Sequence, residues 1–485
     1  MNESSKNKTV RPSRHGTRDW LAPVDDRGVL TRAQVDQLLA QIMSMTHAGT
    51  VGVTLTHTKR VSTSFANNRI LTSDDGNSLQ LEITTAFGGR SGVTIETNQA
   101  DATSLRAIVQ QCEAVAHGMM GMAERFGDPV QYQDTYLPTQ LWHDSTVRAM
   151  NSARGTVIPE IIGDVAGAGL MASGALGFIA RAKAVLTKEG ITAYAEETDA
   201  ELTVTARSRD GKAVGWAGGA ARDWTTVPYA AVTQRAIELS KMSVGARALE
   251  PGRRTAILSP TAFVQMARYF APEFDAFDTD GGYTVFSKEG GRNRLHERVV
   301  DPRITMFSDP QDVLGGYPSF FFTGFANPRM TWVENGVLKN LAYNPAYAME
   351  RGKVYSEQPR SIHITGGETT VEEMIAQCEE GIYVNRLSNV ELIDKHSGLM
   401  TGATHGGCFL IKHGKITMPV KNFQILMSPI FVLNNVIALG KPERAAFGYT
   451  PPGPWEWDWG WPRPPIIVPW MMVRDFNFSA LVDAV

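Results

Sequence analysis

The residues able to do chemistry are few and scattered. His405-Gly-Gly-Cys408 is the one compact His/Cys pair, and both a metal site and a thiol nucleophile begin from such a pair. A zinc site needs three or four ligands, and no obvious third lies nearby. An isolated Cys is more often packed than reactive. His405 and Cys408 therefore stand as site candidates, with a hairpin that buries its Cys as the plain alternative. No pair of the ten His residues has the HExxH spacing, and His296-Glu297 is followed by Arg-Val-Val-Asp. There is no Gly-x-Ser-x-Gly elbow. Gly88-Gly89-Arg90-Ser91-Gly92 leads into Val93-Thr-Ile95, which predicts a hairpin turn rather than a phosphate loop. Asp275, Asp278 and Asp280 precede Gly281-Gly282 and read as solvated loop acids, with a cation or partner as the alternative. Glu196-Glu197 and Glu372-Glu373 complete the set of clustered carboxylates, and nothing here names an active site by itself.

A different kind of candidate stands near the end of the chain. Trp455, Trp457, Trp459 and Trp461 alternate among Pro451-Pro452-Gly453-Pro454, Pro462, Pro464 and Pro465, with Trp470 beyond. Tryptophan buries a large area at small entropic cost, so this loop is expected either to form a subunit interface or peptide-lining surface, or to pack on its own domain.

These residues must be positioned by a folded scaffold, and the bulk numbers describe one. The chain has 485 residues, 43% of them hydrophobic and 20% charged, enough for two to four domains. Forty-seven basic and 50 acidic residues give a net charge of −3, which leaves no electrostatic footprint for nucleic acid. The basic cluster Lys6, Lys8, Arg11, Arg14 and Arg18 sits among Ser, Thr and Asn, and residues 1–28 are expected to be a disordered tail. Three cysteines without a CxxC argue for a reducing compartment. The N-terminus has no apolar signal core, and the longest uncharged apolar stretch, Val165–Ala180, is too short to span a bilayer. The expectation is a cytoplasmic protein without a membrane segment.

The element pattern is α+β. Thr31-x-x-Gln34 is a capping box opening a helix through Val35, Leu38, Leu39 and Ile42. Alternating strands are predicted at Val51–Leu55, Ser62–Ser64 and Leu79–Ile83, then a helix at Leu105–Cys112. Residues 125–150 read as a polar connector, Ile191–Arg207 as strands and Pro228–Met242 as a helix. The texture changes near Leu249, where a domain boundary is placed. This gives an N-terminal lobe, 29–248, with a mixed sheet and helices, and a β-rich C-terminal domain, 249–485. The second half is expected to hold short strands and one well-signed helix, Thr370-x-x-Glu373 through Cys378, closed by Gly381.

At this point the chain resembles the TldD/PmbA (modulator of gyrase) metallopeptidase family over about residues 30–485. The resemblance is carried by Ser64-Phe65-Ala66-Asn67-Asn68-Arg69, by Gly88-Gly89-Arg90-Ser91-Gly92-Val93, and by Pro251-Gly252-Arg253-Arg254-Thr255-Ala256-Ile257-Leu258-Ser259-Pro260. Its most specific part is the run from His396 through Cys408 to Lys415, continued by Pro419-Val420-Lys421-Asn422. The resemblance implies a two-lobed fold and a TldD–TldE heterodimer. In zinc-bearing TldD chains a helix carries His-Glu-x-x-x-His, with a later Cys as third ligand. The matching helix here is expected at Ala262–Phe274, with Ala267-Arg268 at the His-Glu pair and Pro272 at the second His. No His lies in Thr261–Gly290 and no Cys follows Cys408. The resemblance therefore points to a TldE/PmbA-type subunit with no metal of its own and zinc in its partner. Alone it would be a homodimer or await that partner. The rivals are a metal-free enzyme of the same fold in a biosynthetic pathway, which a pocket joining His405, Cys408 and Asp278 would favour, and a stand-alone peptide-binding scaffold.

Overall fold

The computed structural model describes residues 27–87, 93–118, 136–321, 324–448 and 465–482. Most of the expected tail, the Gly88–Gly92 turn and Trp455, Trp457, Trp459 and Trp461 lie outside these residues.

The first lobe opens with α1, Arg32–Met45. Thr31 Oγ1 accepts the Gln34 N–H, and Gln34 Oε1 accepts the Thr31 N–H, so the capping box closes as expected. Val35, Leu38, Leu39 and Ile42 form its buried stripe. Strands β1, Thr50–Ala66, and β2, Arg69–Ala86, are each longer than the sequence patches suggested. They are joined by Asn67-Asn68, both at positive φ (52° and 58°), the backbone a two-residue hairpin turn requires. The Asn68 side chain also clasps the strand paired with β1 on its other edge: it accepts the Ala172 N–H at 2.6 Å and donates to Leu170 O at 3.2 Å. β3, Val93–Thr97, pairs antiparallel with β2, and α2, Ala102–Gly118, buries Leu105, Val109 and Cys112.

Next comes α3, Asp144–Gly167, which corrects the reading of residues 125–150 as connector through to their end. Gly155, Pro159 and Gly163 inside it speak against a helix on propensity. The stripe Val147, Met150, Ile158, Ile161 and Val165, buried against the sheet, outweighs them. The apolar stretch Val165–Ala180 ends α3 and runs into β4, Met171–Thr187. β5, Thr192–Arg207, β6, Val214–Ala221, and α4, Tyr229–Met242, complete the lobe. Its sheet runs β3-β2-β1-β4-β5-β6 and is antiparallel throughout, because short turns join most neighbours. Alternation sorts its faces. Val53, Leu55, Phe178, Ala180, Leu202 and Val204 face the helices, so Thr54, Thr56, Arg181, Lys183, Glu197, Asp199 and Glu201 point the other way.

The second lobe begins with β7, Gly252–Leu258, and three short helices, α5 (Pro260–Ala267), α6 (Phe270–Glu273) and α7 (Ala276–Asp280). A ribbon of β8 (Ser287–Lys288) and β9 (Arg292–Asn293) follows. Then come β10 (Met306–Ser308), β11 (Met330–Glu334), β12 (Val337–Leu338), α8 (Pro345–Arg351) and β13 (Ile362–Ile364). α9, Val371–Gln377, has the expected Thr370/Glu373 capping box. Gly381, however, does not close that helix. It lies in β14, Glu380–Asp394, where a Cβ would meet Cys378 Sγ at 2.6 Å and Thr255 O at 2.8 Å. The chain ends through β15 (Leu399–Lys412), β16 (Lys415–Pro419), β17 (Phe423–Met427), α10 (Pro429–Asn434), β18 (Val436–Arg444) and β19 (Ile466–Leu481).

The strands of this half are not all short: β14, β15 and β19 have 15, 14 and 16 residues. Their pairing closes on itself. β7 joins β14, β14 joins β15, β15 joins β17, β17 joins β19, and β19 returns to β7. Such a ring leaves no free edge among its members. α5 packs against β14 and β19, and every one of its residues except Thr261 is buried. A helix so enclosed belongs to the core, and Phe263, at 0% exposure, is part of the lobe's largest apolar cluster. Phe263→Ala is expected to cost about 3–5 kcal/mol. Chemical unfolding checks this, and a loss below about 1 kcal/mol would contradict a fully enclosed α5.

Candidate functional site

The segment that the resemblance matches to a metal helix is built as follows. Ser259 caps α5, its Oγ accepting the Ala262 N–H at 3.1 Å, and Pro260 occupies the first turn. The helix stops at Ala267 instead of running on to Phe274, and a break at Arg268-Tyr269 separates it from α6. Ala267 is fully buried among apolar side chains. Arg268 turns its Nη2 to Val390 O (3.2 Å) and Tyr269 Oη (3.0 Å) and lies over the Tyr269 ring. Pro272 sits in α6 and offers no donor atom to a metal. A methyl, a guanidinium and a pyrrolidine do not fit zinc, which takes imidazole, thiolate or carboxylate. Among the described residues no group of three or more His, Cys, Asp or Glu converges to hold a metal ion.

The carboxylates just beyond have structural work. Asp275 caps α7 by accepting the Asp278 N–H, and Asp280 is bound by Asn293 Nδ2 and Tyr347 Oη. They are held in turns of the fold rather than loosely solvated, which corrects the reading for these two. Glu273 is the unusual acid: burial pushes its carboxyl up to about 7, against the opposing Val285 N–H and Lys395 charge.

His405 and Cys408 do come together. They line one cavity of about 600 Å³ with Asp210, Lys212, Ser243 and Lys421. Their Gly-Gly linker is not a turn but an irregularity within β15, with Gly406 at φ +65° and Gly407 at +131°. A Cβ on Gly406 would meet the Trp216 Cβ at 2.7 Å, so glycine there admits the other lobe. The pair is chemically quiet. Burial, with Arg386 and Arg207 adding to it, pulls His405 down to about 4, so the ring is neutral near pH 7. Burial pushes the Cys408 thiol up to about 12. A nucleophile needs the thiolate, and this environment opposes it. Asp278 is on α7 and not among the residues around this cavity, so the pocket that would favour a metal-free enzyme does not form.

The most charged interior lies elsewhere, on the polar face of the first sheet where the second lobe covers it. Glu197, of the Glu196-Glu197 run, is 8% exposed. Arg181 Nη1 lies 2.9 Å from Glu197 Oε1, Lys183 Nζ 3.3 Å from the same oxygen, and Arg222 Nη1 3.3 Å from Oε2. Burial alone would raise this carboxyl, but the Lys183, Arg181 and Arg222 charges outweigh it and hold Glu197 far below the usual carboxylate range. Next to it, Arg444 Nη2 donates to both oxygens of Asp199 at 2.8 and 2.6 Å. Glu201 accepts the Gly448 N–H at 2.9 Å. The signal was present in sequence as Arg181-x-Lys183 facing Glu197-x-Asp199-x-Glu201, a period of two that puts all five on one sheet face. Beside this network is a pocket of about 140 Å³ lined also by Tyr317, Phe320, Phe321 and Arg360.

Comparison with known proteins places the fold. Residues 251–480 match the PmbA/TldA metallopeptidase C-terminal domain. A metalloprotease of Archaeoglobus fulgidus is 23% identical over 212 residues, 41% of this chain and 48% of that protein, so the match spans about half the length of the relative. TldE from Thermococcus kodakarensis superposes with a TM-score of 0.76 at 16% identity, covering 91% of this chain and 99% of that one. A protein described as a modulator of DNA gyrase from Thermotoga maritima gives 0.75 at 17% identity, over 91% and 98%. Another so described from Bacteroides thetaiotaomicron gives 0.74 at 16% identity, over 93% and 100%. At these identities the likeness establishes the two-lobed fold.

Two outcomes are expected from the site's electrostatics. All three thiols are buried, and burial raises Cys378 to about 11, so the native protein should resist a thiol reagent at pH 8 until unfolded. Rapid labelling of Cys408 would contradict this environment. Glu273, protonated in the fold up to about pH 7, titrates near 4.3 when unfolded. The unfolded state therefore binds fewer protons between those values, and stability falls as pH rises through that window. Glu273→Gln removes the loss, so the variant should gain on the order of 1–3 kcal/mol over the native chain between pH 5 and pH 8 in chemical unfolding. A gain independent of pH would contradict a neutral Glu273.

Proposed function

We propose that this chain, whose residues 251–480 match the PmbA/TldA metallopeptidase C-terminal domain, is a non-catalytic, TldE-like subunit of a two-chain peptidase. The observation that carries the reading is the chemistry at the end of α5. Where a zinc-bearing sister chain would present His, Glu and His, this one presents Ala267, Arg268 and Pro272. The cationic Arg268 would repel a divalent ion in the same space, and the break after Ala267 interrupts the helix that such ligands need.

In this reading zinc resides in a TldD-like partner, where it polarises the scissile carbonyl and activates water. The present chain supplies surface rather than ligands. It completes a heterodimer, helps to enclose a chamber that admits unfolded or modified peptides, and presents backbone against which an extended substrate can lie. The Trp455–Trp461 run, which lies outside the described residues, is assigned to the subunit contact. The reading places the chain in the cytoplasm, and no helix among the described residues is long and apolar enough to cross a membrane.

The decisive measurement is metal content and peptidase activity of the chain alone, of a TldD-like partner alone, and of the two together. The isolated chain is expected to hold no stoichiometric zinc and to cleave no peptide, with activity appearing only with the partner. One tightly held zinc per isolated chain would end the proposal.

A further inference from the structure

The pocket of about 140 Å³ at the ion network lies between β4–β5 of the first lobe and the Tyr317–Phe321 segment of the second. Its two walls differ in kind. One carries Arg181, Lys183 and Arg222, with Ile179 and Val185 flanking the first two along β4; the other carries Tyr317, Phe320 and Phe321. Charge on the polar wall does not balance. Four cations, Arg181, Lys183, Arg222 and Arg360, face three carboxylates, Glu82, Glu197 and Asp199, and Asp199 is already bound by Arg444. Arg360 in turn is held by Glu357 at 2.6 Å. That leaves Arg181, Lys183 and Arg222, all three of which reach Glu197, facing Glu197 and Glu82, a surplus of one positive charge. Arg222 is 7% exposed, and its Nε donor has no partner among the described residues. Lys183, by contrast, keeps 35% of its side chain exposed on the pocket wall, with its ammonium 3.3 Å from Glu197 Oε1.

Surplus guanidinium and ammonium groups beside an aromatic wall define a ligand with one negative, planar group and an apolar body. A cavity of about 150 Å³ holds a benzene-sized body, which is one side chain and not a folded partner. We infer that this pocket binds the terminal carboxylate of a peptide whose last residue is apolar or aromatic. The carboxylate lies toward Lys183 and Arg181, and the side chain lies against Phe320 and Phe321. The rest of the peptide runs out to solvent. This goes beyond the accessory-subunit reading and does not depend on it, because the binding belongs to this chain alone.

Calorimetric titration of the isolated full chain tests the inference with N-acetyl-Ala-Ala-Phe, the same peptide as its C-terminal amide, and phenylacetate. The free acid is expected to bind and the amide to bind at least roughly tenfold more weakly, the loss of one charge-assisted contact. Phenylacetate should bind more weakly than the tripeptide acid; equal binding would overturn the peptide assignment. Lys183→Met should weaken the acid by a similar factor, and Lys183→Arg should restore most of it. Circular dichroism and thermal unfolding confirm that both variants fold, since Arg181 and Arg222 still neutralise Glu197. Equal affinity for acid and amide, an unaffected Lys183→Met, or no heat with any probe at millimolar concentration would overturn the inference.

Discussion

The architecture depends on one buried charge. Glu197 has been taken out of water on the polar face of the first sheet, and its cost is met by Arg181 and Arg222, with Lys183 as a third cation on the same carboxylate. Arg222 Nη2 also holds Gly316 O of the second lobe, and Arg444 of that lobe holds Asp199. The lobes are thus fastened by charges that are satisfied only when the two are correctly docked. Such a junction adds less stability than an apolar one of equal size, but any displacement strands an ion in a dry interior. Around it, Asn385 spans from Trp216 O to Gly406 O, and Arg386 lies over the Trp216 ring at 4.4 Å, so the seam is specified by direction as well as by sign.

The second lobe expresses a different constraint. Its ring of β7, β14, β15, β17 and β19 consumes its own edges, and α5 fills the core against it. A helix in that place is free to carry ligands only if its neighbours leave room and polarity for them. Here β14 and β19, the strands that α5 packs against, contribute Ile382, Val384, Met471 and Val473 to the same apolar cluster. Gln265 is the polar exception, and it is engaged with Phe447 O at 3.1 Å. Residues 251–480 match the PmbA/TldA metallopeptidase C-terminal domain, and the side chains of α5 are packed into the lobe's apolar cluster.

How much of this was legible beforehand follows the range of the interactions involved. The capping boxes at Thr31 and Thr370 are read within four residues, and both helices start where expected. The β1–β2 turn is likewise local. α3 was misjudged at its start because glycine and proline in its interior mask a stripe that only the sheet beneath it makes visible. The ion network was missed for a plainer reason: Glu197 meets Arg181 across 16 residues and Arg222 across 25, and Asp199 meets Arg444 across 245. Nothing in the acidic run around Glu196 reveals that its alternate members are covered. His405 and Cys408 line one cavity, but their inertness comes from burial, which spacing does not report.

The Asn67-Asn68 turn has a consequence for the distant seam. By gripping both Leu170 and Ala172, Asn68 ties the start of β4 to the tip of the first hairpin and thereby sets the offset of β4 along β1. An offset wrong by a single residue would invert β4, turning Arg181 and Lys183 in among the helices and leaving Glu197 facing alanines. A carboxamide some ten residues up the strand thus serves as the gauge by which the sheet is cut to length, and the fit of the two lobes is decided at the first hairpin the chain makes after leaving α1.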